Sequence, residues 1–245
     1  MGGKGGKGMK PIVEIRNLTK KYGNKTALDG LDLNIEKGKV TGILGPNGSG
    51  KTTLIKIMTG LMRPTSGKVL IDGNEIGVQT KAVVSYLPDR NFLYKWMKIK
   101  DAGRFYRDFY ADFDMDKFTK LLQFMKLDPE MKITSLSKGM QEKLNLSLVL
   151  ARNAKLYIFD EPIAGVDPVA RDQILEAIIN NYHPDSSVII TTHLVRDMEN
   201  IFDNVVFIQE GRILLNGNAE TLREERGMQI EELYKNIFTE GGSGL

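Results

Sequence analysis

The chain has 245 residues, of which 41% are hydrophobic and 27% charged, with a formal net charge of +3 and no cysteine. This length suffices for one large domain or two small ones, each with a buried core. The lack of cysteine excludes a disulfide framework and thiolate metal sites, and it is compatible with a reducing cytoplasm. The small net charge does not call for nucleic acid, so we expect no nucleic-acid partner.

The two ends of the chain, 1–10 and 241–245, are rich in glycine and read as tag or linker segments, so they are left out of the fold prediction. No apolar stretch follows the N-terminal lysines, so we expect no signal peptide. No apolar run approaches the ~20 residues that a membrane-spanning helix needs. We therefore expect another chain to supply any membrane part.

In chain order, the first segments predict strands: IVEIRNL, ALDGLDLNI and KVTGILG. A glycine-rich loop follows, and then LIKIMTGLM has the apolar spacing of a helix. KVLIDG and AVVSYLP predict two more strands, the second stopped by Pro88.

The middle of the chain, about 90–152, predicts a mostly helical subdomain. Helical spacing occurs in IKDAGRFYRDFY, in MDKFTKLLQFMKL and in SKGMQEKLNLSLVLARN, whose N-terminal end is Ser137. This segment interrupts the strands of the flanking regions, so we expect it to be an insertion.

Strands then return. LYIFDEP and SVIITTH are short and nearly all apolar, which is typical of strands buried on both faces. ARDQILEAIINNY and LVRDMENIF predict helices, VVFIQEG and RILLNG a hairpin, and 221–240 C-terminal helices. The sequence therefore predicts an α/β fold with a mostly parallel sheet, an antiparallel N-terminal part and a helical insertion.

The loop GPNGSGKTT matches the pattern G-x-x-x-x-G-K-[ST] and lies between a buried strand and a helix. Its glycines let backbone N–H groups surround a phosphate, Lys51 can reach the β and γ phosphates, and the hydroxyl of Thr52 can hold Mg²⁺. The loop predicts the core of a P-loop NTPase. The loop residues predicted to contact nucleotide are Gly45, Pro46, Asn47, Gly48, Ser49, Gly50, Lys51, Thr52 and Thr53.

Polar side chains follow the two buried strands. Asp160 and Glu161 end LYIFDEP, and His193 ends SVIITTH. Because ligand groups gather at the carboxyl ends of parallel strands, we expect all three beside Lys51. Asp160 is the candidate Mg²⁺ residue, Glu161 the candidate base for the attacking water, and His193 a candidate contact to the γ-phosphate or that water.

With LSKGMQ, at 136–141, these motifs resemble the nucleotide-binding subunit of an ATP-binding cassette (ABC) transporter over about 11–220. In that family the glycine-rich loop is the Walker A loop, IFDEP is Walker B, and LSKGM stands where LSGGQ is usual. The resemblance implies that Tyr22 stacks on adenine, that Asp167 is the D-loop aspartate and that His193 is the switch histidine. It also implies that Ser137 and Gly139 bind the γ-phosphate on a partner cassette.

The resemblance further implies a mechanism. Two cassettes dimerise head to tail around two ATP molecules with Mg²⁺, and hydrolysis reopens them and moves a separate multi-spanning membrane subunit. We therefore expect a homodimer, or a heterodimer with a similar cassette, at the cytoplasmic face of the cell membrane. The compact length and the YLPD segment favour an export-type subunit.

The sequence departs from the family at three positions. Asp89 stands where glutamine is usual and could approach Mg²⁺ through water, but an ionised acid cannot donate a hydrogen bond. Lys138 and Met140 replace a glycine and a glutamine of LSGGQ; Lys138 can face either the γ-phosphate or solvent. The aromatic segment NFLYKWM, just after Asp89, is either core or a groove for a membrane partner.

Two alternatives belong to other functional classes. A soluble ABC protein that acts on ribosomes resembles tandem cassettes, and one that acts on DNA carries a coiled-coil or zinc insertion; this chain has one cassette, a short insertion and no cysteine. A regulatory cassette that senses ATP without transport would be distinguished by the absence of turnover coupled to a membrane protein.

Overall fold

The computed structural model describes residues 10–89, 93–183 and 185–239. The strands in this part of the chain are β1 Val13–Tyr22, β2 Lys25–Ile35, β3 Val40–Leu44, β4 Ser66–Ile71, β5 Asn74–Glu75, β6 Val84–Leu87, β7 Leu156–Asp160, β8 Ser187–Thr192, β9 Asn204–Gln209 and β10 Arg212–Asn218. The α-helices are α1 Lys51–Met58, α2 Val78–Val83, α3 Ile99–Phe109, α4 Met115–Phe124, α5 Lys138–Leu150, α6 Pro168–Asn181, α7 Ala219–Arg226 and α8 Ile230–Thr239.

A six-stranded sheet in the order β10-β9-β3-β8-β7-β6 forms the centre of the molecule. All neighbours in it are parallel except β10, which pairs antiparallel with β9 in the predicted hairpin. Every residue of β3, β7 and β8 is buried. Their near-continuous apolar sequences are therefore explained by layers of protein on both faces of the sheet.

A second sheet, β2-β1-β4-β5, is antiparallel throughout. Buried and more exposed residues are interspersed along β1 and β2, as in strands that have one face on a core and one in water. The predicted α/β class, with a mostly parallel sheet and an antiparallel N-terminal part, is confirmed.

The parallel sheet lies between two hydrophobic cores, and its side chains point alternately into one and the other. Ile158 and Ile189 belong to the core shared with α1 and the antiparallel sheet. The next residues, Phe159 and Ile190, belong to the core shared with the helices of the opposite face. Since successive strand residues point to opposite faces, each strand contributes to both cores.

Three helices, α3, α4 and α5, lie between β6 and β7 in the chain, in the segment predicted to be a helical subdomain. Asp114 caps α4 by accepting a hydrogen bond from the backbone N–H of Lys117, and Ser137 caps α5 through Met140. The C-terminal helix α8 places Tyr234 and Phe238 against Phe207 of β9. The proposed domain boundaries at 90, 152 and 220 stay predictions.

Two predicted elements are corrected. Ala82 and Val83, predicted to start a strand, end helix α2. Gly77 donates its N–H to the hydroxyl of Thr80, and this hydroxyl donates to the carbonyl of Gly77, which closes the first turn of the helix. The strand starts only at Val84, where pairing with Leu156 of β7 begins.

The segment LVRDMENIF, predicted to be a helix, contains turns and only a 3₁₀ helix at Glu199–Ile201. The chain must return at once to β9. Asp203 accepts a hydrogen bond from the N–H of Val40, and the ring of Phe202 lies against Gly42, where a Cβ would be 2.9 Å from the ring. These tertiary contacts override the helical spacing of the segment.

Candidate functional site

The site lies at the carboxyl edge of the parallel sheet. Strands β3, β8, β7 and β6 are consecutive neighbours and end together there. Their ends lead directly into the Walker A loop, His193, Glu161 and Asp89. The sheet order therefore brings together residues that are far apart in the sequence, as expected for a parallel sheet.

The Walker A loop requires glycine at two positions where its backbone passes close to the backbone of other segments of the same chain. A Cβ on Gly45 would lie 2.2 Å from the carbonyl oxygen of Ile208. Gly50 has φ +113°, and a Cβ there would lie 2.7 Å from the carbonyl oxygen of Ala27. Gly50 also forms the N-cap of α1, so the loop presents backbone N–H groups at the positive end of this helix.

Lys51 is buried inside the loop, with 5% of its side chain exposed. Its Nζ donates to the carbonyl oxygens of Gly45 at 2.6 Å and Pro46 at 3.2 Å, and lies 3.6 Å from Oε1 of Glu161. Burial lowers the pKa of Lys51, while Glu161 and Asp160 oppose this shift. The ammonium is thus held where the loop, Walker B and a phosphate ligand would meet.

Asp160 is buried and only partly hydrogen-bonded. Its Oδ1 accepts from the hydroxyl of Thr191 at 2.6 Å and from that of Thr52 at 3.4 Å. Its Oδ2 is buried without a hydrogen-bond partner among the described residues. Burial raises the pKa of Asp160, an effect that the Thr191 hydrogen bond opposes. A divalent cation beside Thr52 would satisfy the orphaned oxygen, so this donor pair fits Mg²⁺.

Glu161 has φ +52°, in the left-handed region that non-glycine residues rarely adopt. Its N–H donates to the carbonyl oxygen of Thr191 at 3.0 Å, which fixes the bend at the strand end. Its Oε2 lies 2.8 Å from Nδ1 of His193 and accepts from the N–H of His193 at 3.3 Å. Local backbone strain of this kind clusters at functional sites, and here it turns the carboxylate toward His193 and Lys51.

A cavity of about 550 Å³ opens over these groups. The predicted site residues that line it are Tyr22, Asn47, Gly48, Gly50, Lys51, Thr52, Thr53, Asp89, Glu161 and His193. Of the remaining loop residues, Gly45 and Pro46 hold Lys51, and the backbone of Ser49 donates to Pro46 and accepts from Gly211. The size and lining of the cavity fit a nucleotide.

Tyr22 lines this cavity with 47% of the residue exposed. Its hydroxyl donates to Sδ of Met62 at 2.8 Å, and Nζ of Lys20 lies 5.2 Å from the ring centroid. The sequence reasoning missed Lys25, which also lines the cavity, and Thr191, which holds Asp160. The one available signal for Thr191 was its place as the second-last residue of the buried strand SVIITT.

Asp89 lines the cavity from the end of β6 and is exposed. Its charge contributes to raising the pKa of Asp160 and of Tyr86, after burial in both cases. An acid at this position therefore adds negative charge to the cation side of the site.

Ser137 and Gly139 do not line the cavity of their own chain. Ser137 is exposed at the start of α5, and a Cβ on Gly139 would lie 3.5 Å from Oδ2 of Asp167. Asp167 caps α6 by accepting from the N–H of Ala170 at 3.0 Å. Lys138 is exposed and its Nζ lies against Gly165. The LSKGM signature and the D-loop aspartate Asp167 thus form a surface separate from the cavity.

The family model for ABC transporters matches residues 28–164. The lantibiotic transport ATP-binding protein SrtF of Streptococcus pyogenes is 31% identical over 228 residues, which are 92% of this chain and 96% of SrtF. The Nod factor export ATP-binding protein I of Cupriavidus metallidurans is 30% identical over 235 residues, 92% of this chain and 78% of that protein.

Solved structures agree in fold. An ATP-binding subunit of an ABC transporter has a TM-score of 0.83 at 25% identity, over 92% of this chain and 99% of that one. A dimeric ATP-binding cassette bound to ADP and Pi has a TM-score of 0.74 at 21% identity, over 84% of this chain and 98% of that one. The chain belongs to the ABC transporter family, as an ATP-binding subunit whose activity is ATP hydrolysis.

Proposed function

We propose that this chain powers export through a separate multi-spanning membrane subunit, by closing and opening a head-to-tail dimer of cassettes. The observation that carries the proposal is the separation of the signature residues Ser137 and Gly139 from the nucleotide cavity of the same chain. In the proposed dimer, one chain supplies the phosphate loop of a nucleotide site. The exposed N-terminus of α5 from the second cassette completes that site. Two identical chains, or this chain and a similar cassette, can both form such a pair.

In the proposed site the purine stacks on Tyr22 and the phosphates lie in the Walker A loop against Lys51. Thr52 and Asp160 would hold Mg²⁺, with Asp89 reaching it through water. Bound there, Mg²⁺ would neutralise phosphate charge and polarise the phosphoryl group. The orphaned Oδ2 of Asp160 supports this assignment.

Glu161 is the proposed general base for hydrolysis. It is mostly buried, with 11% of its side chain exposed, and a carboxylate in this position can accept a proton from the attacking water. His193 supports Glu161 through the 2.8 Å contact of its Nδ1, and its other ring nitrogen can reach the γ-phosphate or the water. The positive φ of Glu161 keeps the carboxylate aimed at this region.

A surface around α3 is the proposed contact with the membrane subunit. A groove of about 420 Å³ is lined by Tyr106 of α3 and Tyr110 at its C-terminal end, together with Leu61 and Pro88. Pro88 lies in this groove while Asp89, the next residue, lies in the nucleotide cavity. A partner in the groove would therefore press directly on the segment that borders the cation site.

Helix α3 and the segment before it carry an exposed aromatic rim, formed by Tyr94, Trp96, Phe105 and Phe109. The rings follow one another, with centroids 6.1 Å apart for Tyr94–Trp96 and Tyr94–Phe105 and 4.5 Å for Phe105–Phe109. Aromatic side chains of this kind are enriched in protein interfaces. Met97 of the same predicted segment is buried core instead, and Phe92 lies outside the described residues.

Export and the cytoplasmic face of the membrane are proposed from the relatives. Both relatives described above are ATP-binding proteins of transport systems, and one is an export protein. Within the described residues, no helix is long and apolar enough to span a bilayer, so a separate chain would form the pathway. The alternatives that act on ribosomes or DNA, or that only sense ATP, receive no comparable support.

The test is affinity purification of the tagged full chain from detergent-solubilised native membranes, followed by mass spectrometry. We expect one multi-spanning membrane protein in fixed stoichiometry with the chain, and faster ATP hydrolysis by the complex than by the free chain. Co-purification of ribosomal or DNA-repair proteins, with no membrane chain, would overturn the transport role and leave the ATPase assignment intact.

A further inference from the structure

Lys25 is a cation of the nucleotide cavity that the sequence motifs do not include. It is the first residue of β2 and pairs with Tyr22 across a two-residue turn. It lines the same cavity as Tyr22, Lys51 and Glu161. It is exposed, and none of the ion pairs among the described residues includes it. Among the described residues, its charge therefore has no ion-pair partner.

The start of β2 is fixed relative to the Walker A loop, so Lys25 does not sit on a freely moving turn. Ala27, two residues on, also lines the cavity. Its carbonyl oxygen lies against Gly50 and Gly211, where a Cβ would approach to 2.7 and 2.5 Å. Asp29 donates its N–H to the carbonyl oxygen of Gly211 at 3.0 Å.

Lys25 is a cation of the cavity that is available to a phosphate group in addition to Lys51. Lys51 is already engaged by the carbonyl oxygens of Gly45 and Pro46 and by Glu161. A bound nucleotide that extends from Tyr22 to Lys51 must place its sugar and α-phosphate between the two, and Lys25 lines the same cavity. An ammonium group is a compact point charge suited to a single phosphate oxygen.

We propose that Lys25 is a positioning residue that neutralises the α-phosphate of the bound nucleotide. The proposal rests on the proposed stacking of the purine on Tyr22. It assigns nucleotide affinity to Lys25 and leaves hydrolysis to Glu161, because the α-phosphate is not the group transferred.

The experiment is calorimetric titration of the full chain with MgADP, with the Mg²⁺ complex of the β,γ-imido analogue of ATP, and with adenosine. The variants are Lys25→Ala and Lys25→Arg. Lys21→Ala is the matched control, because Lys21 is an exposed lysine of the same hairpin that pairs with Thr26 and does not line the cavity.

For Lys25→Ala we expect Kd to rise about five- to tenfold for both phosphorylated ligands equally, since both carry the α-phosphate, and to stay unchanged for adenosine. Lys25→Arg and Lys21→Ala should stay within about twofold of wild type. Unchanged Kd values, a loss confined to the ATP analogue, or an equal loss for adenosine would each overturn the role of Lys25. Failure of the wild-type chain to bind any nucleotide would instead refute the proposed site.

Discussion

At the scale of single residues, the site depends on groups held in unfavourable settings. Glu161 occupies the left-handed region, Asp160 keeps an unpartnered buried oxygen, and Lys51 is buried with its pKa lowered by desolvation. Each feature costs stability, and a cation at Asp160 and a phosphate at Lys51 would offset the cost at those two groups.

Replacing Glu161 by glutamine should separate binding from hydrolysis. The amide keeps the shape of the side chain but cannot accept the proton of the attacking water, so we expect turnover to fall by about 10²–10⁴-fold while ATP binding persists. Size-exclusion chromatography with ATP and Mg²⁺ should then show a trapped dimer. Only monomer under these conditions would argue against self-pairing, and wild-type turnover would remove Glu161 as the base.

At the scale of elements, Arg152 joins the end of α5 to β6 and α2. It is 3% exposed. Its Nη1 donates to the carbonyl oxygen of Val84 at 2.6 Å, and its Nη2 donates to that of Ala82 at 2.8 Å. Its Nε and Nη2 also donate to the two carboxylate oxygens of Asp112, at 3.0 and 3.1 Å. Its guanidinium also lies 3.9 Å from the ring centroid of Tyr110. One planar side chain thus orients the helical insertion on the parallel sheet.

Lysine cannot reproduce this set of contacts. We expect Arg152→Lys to lower the free energy of unfolding by about 2–4 kcal/mol, because the partly buried carboxylate of Asp112 and two carbonyls lose the buried guanidinium as a partner. Chemical denaturation followed by circular dichroism measures the change. The matched control is Arg107→Lys at the exposed pair with Asp108, where we expect less than about 0.5 kcal/mol. Equal effects at both positions would contradict the anchoring role of Arg152.

The aromatic rim of α3 gives a second prediction at this scale. Trp96 and Phe109 are 74% and 69% exposed, so truncation to alanine removes little packing within the chain. We expect the double variant Trp96→Ala, Phe109→Ala to keep its melting temperature and nucleotide affinity but to lose at least about tenfold in affinity for the membrane subunit.

Pull-down of the solubilised membrane subunit at graded concentrations measures this affinity. Phe124→Ala on α4 is the control, because Phe124 is an exposed aromatic outside the rim, at 38% exposure. Undiminished recovery of the membrane subunit by the double variant would place the partner contact elsewhere.

At the scale of the whole molecule, the proposed dimer predicts complementation between two defective chains. Lys51→Ala removes the phosphate contact and Ser137→Arg blocks the signature surface, so each variant alone should lack hydrolysis. In a head-to-tail pair, the loop of the Ser137→Arg chain meets the signature of the Lys51→Ala chain, and this one composite site is intact. We therefore expect a mixture to regain hydrolysis.

Steady-state phosphate release from each variant and from their equimolar mixture tests this. A mixture that combines Lys51→Ala with Lys51→Ala, Ser137→Arg should stay inactive, since no intact site can form. If the mixture of Lys51→Ala and Ser137→Arg released no more phosphate than the single variants, the head-to-tail arrangement would be contradicted.

The sequence by itself determined the class of fold, the phosphate loop and the order of the motifs. Short apolar strands ending in Gly45, Asp160 and His193 predicted a parallel sheet with its site at one edge, because the alternation and length of apolar segments are local properties. The helix predicted from the apolar spacing of LVRDMENIF was wrong for the same reason, because spacing is a local property. The tertiary contacts of Phe202 and Asp203 override it.

The tertiary structure alone decided the contacts between distant segments. No pattern in the sequence shows that Thr191 holds Asp160, that Lys25 faces the nucleotide cavity or that Arg152 bridges three elements. It also decided that Ser137 lies outside the cavity of its own chain. These facts depend on strand order, on which face a side chain takes, and on where helices pack, and long-range packing sets all three.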